Sequence, residues 1–202
     1  MAKIKDATFV YGADRFASLP KESLPEVAFM GKSNVGKSSL INRLTHQGSL
    51  ARTSNTPGRT QQLNFFECNM EKTAGGVRAL FLVDLPGFGF AKLSHDRREE
   101  LSEITVQYLT NRSTLKVVCL LNDIRREPGR DELAIRDLVY EAGKNLIVVL
   151  TKCDKLSRGP LNAAQKKIAG LYGLDPSDLI LTGEKIPCDN LLGRVLSIVS
   201  NT

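Results

Sequence analysis

Apolar positions along the chain follow two rhythms. Short apolar runs, many of them β-branched, are separated by stretches in which apolar residues recur every three or four positions. The runs predict strands at Ala7 to Tyr11, Glu26 to Met30, Gln61 to Cys68, Val77 to Val83, Leu115 to Asn122, Asn145 to Leu150 and Asp178 to Leu181. The three-to-four spacing predicts helices at Lys37 to Thr45, His95 to Thr110, Asp131 to Glu141, Pro160 to Leu171 and Asp189 to Val199. Leu192, Leu196 and Val199 in the last of these form a core stripe. Strands alternating with helices predict an α/β fold with a mostly parallel sheet. Residues 71–76 end in Gly-Gly between two strand candidates and read as a hairpin loop. Residues 46–60 are polar and aperiodic, the length of a functional loop.

Composition narrows the class. The chain has 202 residues, 42% hydrophobic and 25% charged, which suits one globular unit with a core of its own. The longest apolar runs, such as Leu146 to Leu150, are far short of the ~20 residues that span a bilayer. No signal-peptide stretch follows Met1, and neither end carries a lipidation signal, so a cytoplasmic protein with no membrane partner is expected. Cys68, Cys119, Cys153 and Cys188 form no C-x-x-C pair and are expected to be buried, reduced thiols. The net charge is +6, and between Glu26 and Glu67 the chain has no acidic residue while carrying Lys32, Lys37, Arg43, Arg52 and Arg59. That imbalance suits a segment that handles phosphate.

Three motifs give this chemistry an order. Gly31-Lys32-Ser33-Asn34-Val35-Gly36-Lys37-Ser38 fits G-x-x-x-x-G-K-[ST], with an apolar strand before it and a helical pattern after it. Its glycines let backbone N–H groups wrap a phosphate chain at a helix start. Lys37 is expected at the β- and γ-phosphates and the Ser38 hydroxyl on Mg²⁺. Asp84-Leu85-Pro86-Gly87 follows the apolar run Leu80 to Val83. Asp84 there can hold Mg²⁺ directly or through water, and the Gly87 N–H can meet a γ-phosphate. Thr151-Lys152-Cys153-Asp154 follows the strand at 145–150. The Asp154 carboxylate can accept from guanine N1–H and the 2-amine together, a pair adenine cannot supply. The Lys152 stem can lie along the purine face. Thr60 is the first candidate for a threonine that joins Mg²⁺ beside a γ-phosphate, with Thr56 as its competitor. Thr182-Gly183-Glu184 stands where a guanine-contacting loop belongs, acting through backbone N–H groups.

The stretches GKSNVGKS, SLARTSNTPGRTQ, DLPGFGFA, LLNDIR and TKCDK together resemble the EngB (YihA/YsxC) family of bacterial GTPases, related to Era and EngA. The similarity spans about residues 7–200. It implies a Ras-like P-loop NTPase G domain at 25–202, with a mostly parallel six-stranded sheet flanked by helices, after a short N-terminal extension at 1–24. It implies Mg²⁺-dependent hydrolysis of GTP to GDP and phosphate, a monomeric state, and action in assembly of the large ribosomal subunit through rRNA and ribosomal proteins. A need for normal cell division and septation is implied as well. Nucleotide contacts are implied at Gly31 to Ser38, at Gly58, Arg59, Thr60, Gln61, Gln62 and Leu63, at Asp84 to Gly87, at Thr151 to Asp154 and at Thr182 to Glu184, with Mg²⁺ on Ser38 and Thr60. The last loop reads Thr-Gly-Glu where the family more often has a Ser-Ser pair, which removes one hydroxyl.

Phe88 stands where Ras-type enzymes have a water-orienting glutamine. Either Phe88 only packs the switch, leaving hydrolysis slow until a partner acts, or a monovalent cation, K⁺, coordinated partly by Asn34 supplies the missing charge. Two other classes compete: a small signalling GTPase not acting on ribosomes, and a P-loop kinase, which leaves Thr151 to Asp154 unexplained. Arg52, Arg59, Arg125, Arg126 and Arg130 are the candidate rRNA contacts.

Overall fold

The structure, a computed structural model, describes residues 3–51, 62–71, 77–88 and 95–201, with the backbone alone for 95–102. Strands β1 (Ile4–Ala13), β2 (Glu26–Gly31), β3 (Leu63–Met70), β4 (Ala79–Asp84), β5 (Leu115–Asp123), β6 (Asn145–Thr151) and β7 (Ile180–Leu181) form one sheet in the order β1-β3-β4-β2-β5-β6-β7. β4, β2, β5, β6 and β7 run parallel, while β3 is antiparallel to both β1 and β4. The sheet has the seven strands that the apolar runs predict, one more than the six implied by the family resemblance. The added edge is β1, from the segment expected as an extension, whose Ile4 and Ala7 are buried against the core.

Helices α1 (Lys37–Leu44), α2 (His95–Asn111), α3 (Arg130–Glu141), α4 (Arg158–Tyr172) and α5 (Asp189–Ser200) cover the sheet. Leu40, Ile41 and Leu44 of α1 and Leu191, Leu192 and Val195 of α5 pack on one face. Ile104 and Tyr108 of α2, Val139 of α3 and Ile168 and Tyr172 of α4 pack on the other. The central strands feed both layers: in β2, Val27 and Phe29 face α1 and α5 while Ala28 and Met30 face the opposite layer. Burial on two sides is why these strands read as unbroken apolar runs.

Several element ends differ from the expectation, two of them for a local reason. β7 begins at Ile180, not Asp178, because Pro176–Asp178 forms a 3₁₀ turn, with the Asp175 carboxylate accepting from Ser177 N–H at 2.9 Å. α4 begins at Arg158 with Pro160 still inside its first turn, where an N–H has no helical partner to lose. The expected hairpin between β3 and β4 is closed by Met70 N–H donating to Arg78 O at 2.9 Å, and its loop residues 72–76 lie outside the described residues. No helix among the described residues is long and apolar enough to cross a membrane.

The carboxyl ends of the parallel strands β4, β2, β5, β6 and β7 finish on one rim of the sheet. That rim is where open α/β sheets place their ligands.

Candidate functional site

The phosphate loop is built by close approach. A Cβ at Gly31 would stand 2.9 Å from both Leu121 O and Val35 Cγ1, so only glycine ends β2 this way. The chain then turns through Asn34, at φ 64°, and Gly36, at φ 106°, before α1 starts at Lys37. The amides of such a turn and helix start form a concave anion site. Lys37 is buried, and its Nζ pairs with Asp84 Oδ1 at the end of β4. Ser38 follows in the first turn of α1.

The Asp84 to Gly87 segment runs directly beside that loop. Leu85 N–H donates to Phe29 O at 3.0 Å, Phe88 N–H to Gly31 O at 3.3 Å, and Ser33 N–H to Phe88 O at 3.4 Å. A Cβ at Gly87 would come 3.2 Å from Gly31 O and 3.4 Å from Ser33 N, filling space next to the loop amides. The donor types fit Mg²⁺: a hard hydroxyl oxygen on Ser38, and a hard carboxylate on Asp84, which pairs with Lys37, the residue before Ser38. Phe88 is half-buried and packs against the core layer of α2, α3 and α4. Its ring fills a packing position and offers no group to orient water.

The base-side loops are tied to the phosphate loop. Thr151 Oγ1 donates to Val35 O at 2.7 Å, and Lys152, at φ 58°, reaches Asn34 O at 2.8 Å through Nζ. Lys152 Nζ also lies 3.1 Å from Asp123 Oδ2. Asp154 Oδ1 accepts from Glu184 N–H at 3.0 Å, and its Oδ2 lies 3.3 Å from Lys155 Nζ. Desolvation raises the Asp154 pKa, but hydrogen bonds from Lys155, from its own N–H and from Glu184 N–H outweigh that and lower it. Asp154 is thus held as a carboxylate, the form that can accept from two guanine donors.

Thr182 N–H and Oγ1 both donate to Leu150 O, at 2.7 and 3.0 Å, and Thr182 O accepts from Cys153 N–H at 3.0 Å. The Thr182 hydroxyl is therefore engaged in structure. A Cβ at Gly183 would overlap the Asp154 carboxylate, so the Thr-Gly-Glu departure lets this loop lie against Asp154. Burial pushes the Cys153 thiol up to about 11, so its place in Thr151 to Asp154 is a packing role.

The structure thus gathers Gly31 to Ser38, Asp84 to Gly87, Thr151 to Asp154 and Thr182 to Glu184 on one rim. Thr56, Gly58, Arg59, Thr60 and Gln61 lie outside the described residues. Gln62 bonds Asn64 Oδ1 at 3.1 Å through Nε2, and the Leu63 side chain is buried in the core. The Lys32 side chain turns to Glu132 on α3, at 2.9 Å. Arg125, expected as a free phosphate contact, is forked onto Asp123 at 2.9 and 2.7 Å.

Asp123 was not singled out from the sequence. Desolvation raises its pKa, but hydrogen bonds from the Arg125 side chain and backbone and from Lys152 overcome this and hold it well below the usual carboxylate range. The signal that marked Asp84, an acidic residue ending a buried strand, marks Asp123 equally within LLNDIR.

Residues 26–152 match the family described as "50S ribosome-binding GTPase". The "Probable GTP-binding protein EngB" of Syntrophus aciditrophicus is 43% identical over 182 residues, covering 90% of this chain and 89% of the relative. That of Syntrophotalea carbinolica is 46% identical over 172 residues, covering 85% and 79%. A crystal structure of "a probable GTP-binding protein engB" superposes with a TM-score of 0.66 at 23% identity, over 88% of this chain and all of that one. Era in complex with MgGDPNP and nucleotides 1506–1542 of 16S ribosomal RNA superposes at 0.66 and 23% identity, over 86% of this chain and 56% of that one. At these identities the two solved structures bear on the fold alone. The length and identity of the sequence matches place the chain in the EngB family of GTP-binding proteins, a family of GTPases.

Proposed function

We propose that this GTPase works with Mg²⁺ in the assembly of the large ribosomal subunit, as a cytoplasmic monomer needed for normal cell division and septation. The G domain on this reading is residues 25–202, with the preceding segment adding the edge strand β1. The observation that carries the guanine reading is the physical tie between the two halves of the site: Thr151 and Lys152, beside the base reader Asp154, bond the carbonyls of Val35 and Asn34 in the phosphate loop. A nucleotide spanning both halves meets one pre-set surface.

In hydrolysis, the amides of 31–38 cradle the phosphates, and Lys37 exchanges its bond to Asp84 for the β- and γ-oxygens. The Gly87 N–H is placed to meet the γ-phosphate. Ser38 and, on this reading, Thr60 would hold Mg²⁺, which would neutralise charge on the β- and γ-oxygens. Water attacks the γ-phosphorus, the bond to the β-bridging oxygen breaks, and GDP and phosphate leave. The packed Phe88 ring leaves the attacking water without a side-chain partner at that position. Intrinsic turnover is therefore expected near or below the unassisted Ras scale of roughly 10⁻⁴ s⁻¹, rising with K⁺ or a ribosomal partner.

The ribosomal part of the reading rests on the description of the matching family and on the net charge of +6, which suits an RNA-rich partner. The test is co-sedimentation with purified large subunits in the presence of a non-hydrolysable GTP analogue or GDP. Binding favoured by the analogue supports the reading. Nucleotide-independent absence from the subunit pellet would assign the chain to a signalling role away from ribosomes.

A further inference from the structure

Arg43 lies in the last turn of α1, the helix that starts at the phosphate-contacting Lys37. Its guanidinium crosses to the base-side loop. Nη1–H donates to Gly183 O at 2.5 Å, and Nη2–H donates to Ile186 O. These carbonyls belong to the two flanks of a small hairpin, in which Gly183 and Ile186 form an antiparallel bridge and Ile186 N–H returns to Gly183 O at 3.1 Å. Glu184 is the tip between them, and its N–H is the group that donates to Asp154 Oδ1. The Glu184 side chain is 79% exposed, and its ion pair to Lys155, at 3.5 Å, is a surface pair that holds the tip only weakly.

We infer that Arg43 is the positioning residue of guanine recognition: one forked guanidinium clamps both flanks of the 183–186 hairpin, and the hairpin in turn sets the Asp154 carboxylate. The inference rests on the reading of Asp154 as the guanine reader. Its chemistry is specific to arginine. A planar fork satisfies two carbonyls at once, whereas a lysine is a point donor that holds one. α1 is a rigid rod of two turns between the phosphates and this hairpin, so the clamp also links base recognition to phosphate binding. No local motif marks Arg43, because its partners are 140 and 143 residues away in the chain.

The test measures GDP and inosine diphosphate on the full chain with Mg²⁺. Inosine keeps the 6-oxo group and N1–H but lacks the 2-amine, so the ratio of the two affinities reads the Asp154 pair. With two charge-assisted bonds removed, Arg43→Ala is expected to speed GDP release by about ten-fold and to shrink the GDP-over-IDP ratio by at least about five-fold. Arg43→Lys should recover part of both effects. If the alanine variant does not fold, Arg43→Lys and Arg43→Gln carry the same comparison, each expected to lose discrimination in part. Equal weakening of GDP and IDP, or an unchanged ratio in a folded variant, would overturn the clamp. Asp154→Ala run in parallel separates the two claims. If it abolishes the ratio while the Arg43 variants keep it, the base reading stands and the Arg43 inference falls. If it also keeps the ratio, both fall.

Discussion

Thr151 Oγ1 donates to the carbonyl of Val35 at 2.7 Å, across 116 residues of sequence. The end of the base-side strand is thereby fastened to the middle of the phosphate loop. The same hydroxyl lies 3.3 Å from Asn122 O, so one buried threonine joins the ends of β5 and β6 to the phosphate loop.

Thr151→Val keeps the shape and removes the donor, leaving Val35 O buried without it. A loss of about 1–3 kcal/mol in stability is expected, together with several-fold weaker GDP binding. Urea denaturation and GDP titration measure the two effects. Unchanged values in both would mean that the bond does not couple the loops.

Asp123 gives a pH signature. Its carboxyl is held below its ordinary value by Arg125 and Lys152 despite burial. A lowered folded-state pKa stabilises the fold above the unfolded value of about 3.9. That contribution is lost as pH falls through the folded-state value. Asp123→Asn should therefore be less stable than wild type at pH 7, with the gap in denaturation midpoint narrowing as pH falls below about 4. A gap constant from pH 6 to 3 would contradict this.

The far end of β2 holds a buried network. Glu26 is fully buried and accepts from Arg112 Nη2 at 2.7 Å, Thr114 Oγ1 at 2.8 Å and Tyr108 OH at 2.8 Å. Glu26→Ala would leave the Arg112 guanidinium buried beside no carboxylate at that position, at a cost of about 3–5 kcal/mol. Since Glu26 is at the opposite end of the strand from Gly31, GDP affinity of the folded variant should be unchanged. Chemical denaturation with GDP titration checks both. A loss under about 1 kcal/mol would show that the pair adds little over solvation.

How much of this was legible follows from the reach of each interaction. Gly31 to Ser38, Asp84 to Gly87 and Thr151 to Asp154 were readable because phosphate and guanine demand given residue types at fixed short offsets beside a strand end. The pairs Lys32–Glu132, Arg43–Gly183 and Arg112–Glu26 span 100, 140 and 86 residues, and no local pattern encodes them. The Lys32 side chain reads as a spare cation in the sequence because its partner Glu132 comes from α3, whereas Asp123, the partner of Arg125, is only two residues away in the chain. The shortened β7 does carry a local signal, since Asp175-Pro176-Ser177 is a turn sequence.

The most direct test of guanine specificity is the base preference of Asp154→Asn. An amide there presents a donor where guanine also presents donors, while xanthine offers a 2-oxo acceptor. Competition titrations of GDP and xanthosine diphosphate, on wild type and variant, give the preference directly. The variant is expected to bind GDP about 100-fold or more weakly and to prefer xanthosine diphosphate over GDP. Undiminished GDP affinity in the variant would contradict it, and with it the assignment of Asp154 as the residue that reads the base.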